Sequence, residues 1–183
     1  FGGASVKDAN GIKNVLEVLK TVGFEDVLIV ISAMGKTTNA LEKVAESFYA
    51  GRRNEALQLF DQVKQQHLTT AKYLLVKEYL ACEVSLGNFF TEVEWLLYDE
   101  PVRGYDYYYD QIVCIGELLS TAIMSAFLNE VAIRNTWIDV RDIIRTDDHF
   151  RDANIDWNFT QQQVDTMVKP LFAKTGIVVT QGF

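Results

Sequence analysis

Val27-Leu28-Ile29-Val30-Ile31-Ser32-Ala33-Met34-Gly35-Lys36-Thr37-Thr38-Asn39 is the stretch on which the fold turns. Its first five residues are aliphatic, mostly β-branched and free of polar alternation, the pattern of a strand buried on both faces of a parallel sheet. The segment that follows is a loop at the carboxyl end of that strand, the place where open α/β sheets bind ligands. Gly35-Lys36-Thr37 invites a P-loop reading. A P-loop needs a second glycine five residues before the Gly-Lys pair, however, and Val30 stands there inside the strand. A plain strand-to-helix turn capped by Thr38 or Asn39 accounts for the loop equally well from local features.

Upstream, Ile12, Val15, Leu16 and Leu19 keep the spacing of one helical face, which predicts a helix over about 9–22 with Asp8 or Asn10 as N-cap and Gly23 as its stop. Downstream, from Ala40 to Leu97, strand signals vanish and apolar residues recur at helical spacing, with breaks expected at Gly51, Gly87 and Pro101. The tyrosine cluster Tyr105 to Tyr109 leads into the next helix. There Ile112, Ile115, Leu119, Ile123 and Ala126 form one stripe, while Glu117, Ser120, Thr121 and Met124 share another face. Thr136 to Val140 and Gly176 to Thr180 read as strands, with a helix over about Thr160 to Phe172 between them. The layout is strand, helix, strand, then helices, then strand, helix, strand. It predicts an α/β fold: an αβα sandwich on a mainly parallel sheet, with a helical insertion.

The 183 residues suit one domain, and the apolar half of the composition places the chain among ordered globular proteins. A net charge of −8 with scattered basic residues argues against nucleic-acid and anionic-membrane partners. No uninterrupted apolar run reaches the roughly 20 residues of a membrane span. Cys82 and Cys114 lack metal-site spacing, so reduced thiols and a cytoplasmic setting are expected. The chain starts on Phe1 without a methionine and stops at Phe183 directly after an apolar strand, so it is expected to be a piece of something larger.

Two further motifs bear on chemistry. Phe1-Gly2-Gly3-Ala4-Ser5, just before a helix, has the character of a phosphate loop, although alone a Gly-Gly pair there reads more readily as an ordinary tight turn. In Gly116-Glu117-Leu118-Leu119-Ser120-Thr121 a carboxylate and two hydroxyls share one side of a helix. Glu117 suits a ligand ammonium group, or simply a solvated surface. His67 and His149 have no sequence partners for a metal or a triad, and each is read as a surface or loop residue.

In order, Phe1 to Ser5, Ser32 to Thr38, Gly116 to Thr121 and Val178-Val179-Thr180-Gln181-Gly182-Phe183 resemble the aspartokinases of the amino acid kinase family. That family's pattern is Lys-Phe-Gly-Gly-Thr-Ser, a Ser-Ala-Met-Gly-Lys-Thr-Thr type loop, Gly-Glu-Leu-x-Ser-Thr and Val-x-Thr-Gln-Gly-Phe. The resemblance implies ATP- and Mg²⁺-dependent phosphorylation of the L-aspartate side chain, at the entry to lysine, threonine and methionine synthesis, by an enzyme that is a homo-oligomer. It implies that residues 1–183 are the N-terminal, acceptor-binding lobe, without a nucleotide site and inactive alone. Gly2 and Gly3 would lie against the transferred phosphoryl group, with Ser5 beside them. Thr38 and Glu117 would hold the α-carboxylate and α-amino group, with Ser32 as a further contact.

The departures are specific. The family lysine would precede Phe1, and Ala4 replaces a threonine. Where the family shows Phe-Gly-Arg-Ala this chain reads Phe150-Arg151-Asp152-Ala153, so the arginine that clamps a substrate carboxylate is assigned to Arg151, one place displaced, with a basic residue elsewhere such as Arg145 as the alternative. Other readings are a family member acting on a different acid or carbamate, and a non-catalytic amino-acid-binding regulatory module. A Gly-Arg-Gly-Gly-Ser-Asp-like segment further along the gene would decide for the kinase.

Overall fold

A computed structural model describes residues 1–182. Asp8 accepts a hydrogen bond from the Gly11 N–H at 2.8 Å and so caps helix α1 (Ala9–Val22), which Gly23 ends at φ +98. Strand β1 (Val27–Ile31) follows, then helices α2 (Thr37–Tyr49), α3 (Arg53–Leu74), α4 (Tyr79–Tyr98), α5 (Tyr105–Val113) and α6 (Ile115–Glu130). Strand β2 (Thr136–Trp137), a 3₁₀ turn at Val140–Asp142, α7 (Trp157–Gln163), a π-helical turn at Val164–Val168, α8 (Lys169–Thr175) and strand β3 (Ile177–Gln181) complete the chain. The wide turn comes just before Pro170, which has no N–H to donate to the preceding turn.

The sheet is parallel throughout, in the order β1-β3-β2, with Ile29 opposite Val179 and Thr136 opposite Val178. The expected α/β class with a parallel sheet and a helical insertion is therefore what forms. α6 lies on the face carrying Ile29, Ile31, Val179 and Gln181, all buried. The insertion α2 to α5 wraps α6 with a second apolar layer, in which Phe48 meets Tyr108 and Phe60 meets Phe90 edge to face, centroids 5.1 and 6.1 Å apart. Tyr105–Glu130 is long and apolar enough to cross a membrane by length and composition, but 78% of its most apolar window is buried in the fold, as befits a core helix.

Several expectations are corrected. β1 is not buried on both faces: Leu28 and Val30 are 49% and 41% exposed, because β1 is an edge strand and helix α6 covers only the opposite side. No strand precedes α1 among the described residues. Phe1 instead makes two ladder-like bonds to β1, donating to Val30 O at 2.7 Å and accepting from Ser32 N at 3.1 Å. Gly87 does not break a helix but lies within α4, while Gly51 and the segment at Pro101 do separate helices. The strand expected over 136–140 stops at Trp137, since Asp139 bonds the Arg141 N–H and turns the chain. α2 starts at Thr37, one residue after Lys36, so neither Thr38 nor Asn39 is its cap. His67 is fully buried within α3, its Nδ1 2.7 Å from Val63 O, because its position continues the Phe60–Val63–Ala71 core face.

Candidate active site at the carboxyl ends of the strands

The carboxyl ends of β1 and β3 lie side by side, with Val30 opposite Thr180 and Ile31 opposite Gln181, so the chain segments leaving them share one rim. Ser32 Oγ donates to Gly182 O at 3.1 Å across that rim. The first two turns of α6 come up beneath it: Ser120 Oγ donates to Ser32 O at 2.8 Å, and Glu117 Oε1 accepts from Ala33 N at 3.1 Å. Such close seating requires a glycine at 116. A Cβ there would stand 2.9 Å from the Ala33 methyl and 3.2 Å from Thr37 Cγ2.

The Gly2–Ser5 turn closes the other side. Ser5 N donates to Gly2 O at 2.9 Å, and Gly35 N donates to Gly3 O at 3.0 Å, which holds the turn against the Ala33–Gly35 loop. A Cβ on Gly3 would lie 2.6 Å from Ala33 O, whereas one on Gly2 would meet nothing within 4 Å. Gly2 thus leaves its backbone open on the exposed side of the turn, and Gly3 is glycine for packing.

Glu117 is the chemical centre of this arrangement. It is buried, and burial pushes its carboxyl up to about 7 against the opposing pull of the Ala33 N–H. Its second oxygen, Oε2, is buried with no hydrogen-bond partner among the described residues. A half-satisfied carboxylate has capacity for one more donor, and a cationic donor would return it to the ionised form. The solvated-surface reading of Glu117 is therefore overturned, because the polar face of α6 is turned into the rim and not toward water.

Of the residues singled out in the sequence, the structure brings Gly2, Gly3, Ser32 and Glu117 into one connected rim. Ser5 closes the Gly2 turn and is exposed. Thr38 is half-buried in the first turn of α2, next to Thr37, whose Oγ1 donates to Met34 O at 2.6 Å. Arg151 is held elsewhere. Its N–H donates to Asp110 Oδ2 at 2.8 Å, its guanidinium donates to Asp106 Oδ1 at 3.3 Å, and it stacks on Tyr109 with 4.3 Å to the centroid. These partners all lie on α5, which runs into the Glu117 helix with only Cys114 between. Arg151 also has φ +67, the left-handed conformation that glycine adopts most easily. It thus stands in the place of the glycine in the Phe-Gly-Arg-Ala pattern, and Asp152 in that of the arginine.

Sequence reasoning missed a hub beneath the rim. Thr121 Oγ1 accepts from Trp137 Nε1 at 2.9 Å and from Gln181 Nε2 at 2.8 Å while donating to Glu117 O at 2.8 Å. Gln181 Oε1 in turn accepts from Val140 N at 2.7 Å. The hub ties α6 to β2, β3 and the 3₁₀ turn. Its prior signals were Thr121 and Gln181, each present in a quoted motif but with nothing in sequence to join them.

The chain is similar to known proteins along its whole length. The model of the amino acid kinase family matches residues 1–183. Aspartokinase 2, chloroplastic, of Arabidopsis thaliana is 35% identical over 161 residues, covering 85% of this chain and 28% of that protein. Lysine-sensitive aspartokinase 3 of Escherichia coli is 27% identical, covering all of this chain and 39% of that protein. Two crystal structures of E. coli aspartokinase III align with the whole chain. The complex with lysine and aspartate does so at TM-score 0.87 and 24% identity over 40% of its length. The complex with aspartate and ADP does so at 0.85 and 25% over 39%. The chain thus spans between about a quarter and two-fifths of the length of these relatives. With a family model that matches it from end to end, this chain belongs to the amino acid kinase family.

Proposed function

We propose that residues 1–183 form the acceptor-binding lobe of an ATP-dependent aspartate kinase, which makes aspartyl 4-phosphate at the start of lysine, threonine and methionine synthesis. The observation that supports it most is the buried, half-satisfied carboxylate of Glu117, seated under a loop at the carboxyl ends of two parallel strands. The relatives named above are aspartokinases, and aspartate is present in both aspartokinase III complexes.

In this reading Glu117 takes the α-ammonium group of L-aspartate, and Thr38, in the first turn of α2, takes the α-carboxylate, where a helix N-terminus favours negative charge. Ser32 orients the substrate from the rim. Arg151, on leaving Asp106, clamps the reacting carboxylate. A side-chain oxygen then forms a bond to the γ-phosphorus of ATP as the bond to ADP breaks, with Gly2 and Gly3 lining the phosphoryl group's path through backbone N–H groups and Ser5 through its exposed hydroxyl. No covalent help from the protein is required. Mg²⁺ is taken to arrive with the nucleotide phosphates. Cys82 and Cys114 are free thiols whose pKa burial pushes up to about 12, which makes both poor nucleophiles at neutral pH; the setting proposed for the enzyme is cytoplasmic.

The test is calorimetric titration of the chain with L-aspartate and with succinate, which lacks the ammonium group. The expected result is binding of L-aspartate that succinate does not reproduce. Equal binding of the two would overturn the role of Glu117. Aspartyl hydroxamate trapping, with ATP supplied to the polypeptide extended to its relatives' length, then reads the phosphoryl transfer. Absence of the hydroxamate would sink the kinase assignment.

A further inference from the structure

Between α4, α6 and the segment from Trp137 to Asp142 lies a groove of about 560 Å³ that the acceptor rim does not use. Small residues recur every four positions on both helices that bound it, Ala81 and Ser85 on α4 and Ala122 and Ala126 on α6, so neither helix face fills the space between them. One wall is aromatic. Buried Phe89 and half-buried Trp137 meet with ring centroids 5.8 Å apart and planes at 47°. The Trp137 ring is fixed from behind, its Nε1 donating to Thr121 Oγ1 at 2.9 Å, so it cannot swing in to close the groove. A preformed concave space with an aromatic wall and a size within the roughly 300–1,000 Å³ of small-molecule sites is a place for a ligand.

Charge decides which ligand. Glu78, Glu92, Asp139 and Asp142 line the groove against one cation, Arg141, among the described residues. Arg141 is already engaged: Nε and Nη2 donate to Asp139 at 3.0 and 2.7 Å, and Nη1 donates to Glu92 at 2.9 Å. Glu78, just ahead of α4, and Asp142, in the 3₁₀ turn, have no ion-pair partner among the described residues. We infer that the groove is a second binding site, for a small organic ammonium ion with an apolar body that lies along Phe89 and Trp137. The face of a tryptophan attracts an ammonium group, and the two unpaired carboxylates supply the countercharge. An amino acid would bring its own carboxylate against four others, so the groove takes an amine and refuses the corresponding amino acid. This sets it apart from the Glu117 rim, on which it does not depend.

Fluorescence titration tests the site. The double variant Trp95→Phe/Trp157→Phe, changed at two exposed positions, leaves Trp137 as the sole tryptophan. Phenethylammonium is expected to change its emission saturably, whereas phenylalanine and the neutral 2-phenylethanol are not. Glu78→Gln and Asp142→Asn are each expected to weaken the binding about fivefold, the upper range for a partly exposed charge pair. Ala126→Phe, which fills the groove, is expected to abolish the response with the helical circular dichroism unchanged. A flat titration, an equal response to phenylalanine or 2-phenylethanol, or an affinity indifferent to both charge substitutions would overturn the inference. So would calorimetric binding of phenethylammonium that is present in this chain and lost in the polypeptide extended to its relatives' length, since the groove would then be a seat for another part of the protein.

Discussion

Glu117 on α6 accepts a hydrogen bond from the Ala33 N–H at 3.1 Å, and through that bond the acceptor helix and the strand-end loop share one carboxylate. Replacing it by alanine removes both the loop contact and the oxygen that awaits a ligand ammonium. Glu117→Ala is expected to weaken L-aspartate binding by about 1.5–3 kcal/mol, the worth of a charge-assisted hydrogen bond. Glu117→Gln keeps the loop contact and should lose nearly as much affinity. Retention of aspartate affinity by the glutamine variant would assign Glu117 to holding the loop alone.

Two buried groups make stability depend on pH in opposite senses. Glu117 has an ordinary value of 4.5 that rises to about 7 in the folded chain, so the folded form holds its proton longer. Its contribution falls as pH rises from about 4.5 to about 7. His67 has an ordinary value of 6.5 that burial lowers to about 4, so its contribution is complete above 6.5 and is lost as pH falls toward 4. Each effect develops to roughly 3 kcal/mol at the standard worth of a pKa unit. Between pH 4.5 and 6.5 they offset one another, and urea unfolding of the wild type should show a shallow profile there. Glu117→Gln should expose the histidine slope, with stability rising with pH, and His67→Met the carboxylate slope, with stability falling. Parallel profiles for the two variants would contradict both assignments.

Gly2 and Gly3 are adjacent yet differ in what they tolerate. Gly3→Ala drives a methyl to 2.6 Å from Ala33 O and should cost roughly 1–3 kcal/mol of stability. Gly2→Ala meets nothing within 4 Å and should leave the melting temperature in place. If the Gly2 backbone faces the phosphoryl group, the extended enzyme carrying Gly2→Ala should nonetheless lose kcat. Unchanged turnover in that variant would move the phosphate site away from this turn.

Thr121→Val removes the acceptor shared by Trp137 and Gln181 and leaves two N–H donors unpaired in the interior. A loss of about 1–3 kcal/mol is expected on chemical denaturation, with Thr121→Ser close to wild type. Equal stability of the valine variant would show that water replaces the hub.

The α/β layering was legible because hydrophobic period carries it: the unalternated run at Val27–Ile31 and the helical spacing of Ile12 to Leu19 leave little choice. The rim was legible only as separate motifs, since the bonds from Ser120 to Ser32 and from Glu117 to Ala33 span 88 and 84 residues. Exposure of Leu28 and Val30 was not legible, because the sequence of an edge strand does not say which neighbour is missing. His67 was misread for a related reason. Its polarity suggested surface, whereas its place four residues after Val63 and four before Ala71 put it in the core, with Val63 O accepting a hydrogen bond from its Nδ1. Tertiary contact, not local composition, decides such positions.

Arg151 is the residue on which sequence and geometry pull hardest against each other. Its left-handed backbone at φ +67 places it where the family pattern has glycine, and its guanidinium is engaged by Asp106 and stacked on Tyr109. For it to clamp a substrate carboxylate, that carboxylate must displace Asp106, and the two then compete for one fork of donors. The competition has a signature. Asp106→Asn should lower the aspartate KM by freeing the guanidinium, and Arg151→Lys should raise it at least roughly tenfold by removing the bidentate geometry. Arg145→Lys, whose guanidinium stacks on Phe159, should leave KM unchanged. Should Asp152 instead occupy the clamp's position by gapless register, Asp152→Arg would lower KM while Arg151→Gly, which relieves the left-handed strain, would raise stability and leave KM alone. These outcomes differ in sign, so kinetics of the extended enzyme over the four variants Asp106→Asn, Arg151→Lys, Arg151→Gly and Asp152→Arg assign the clamp to one residue or the other.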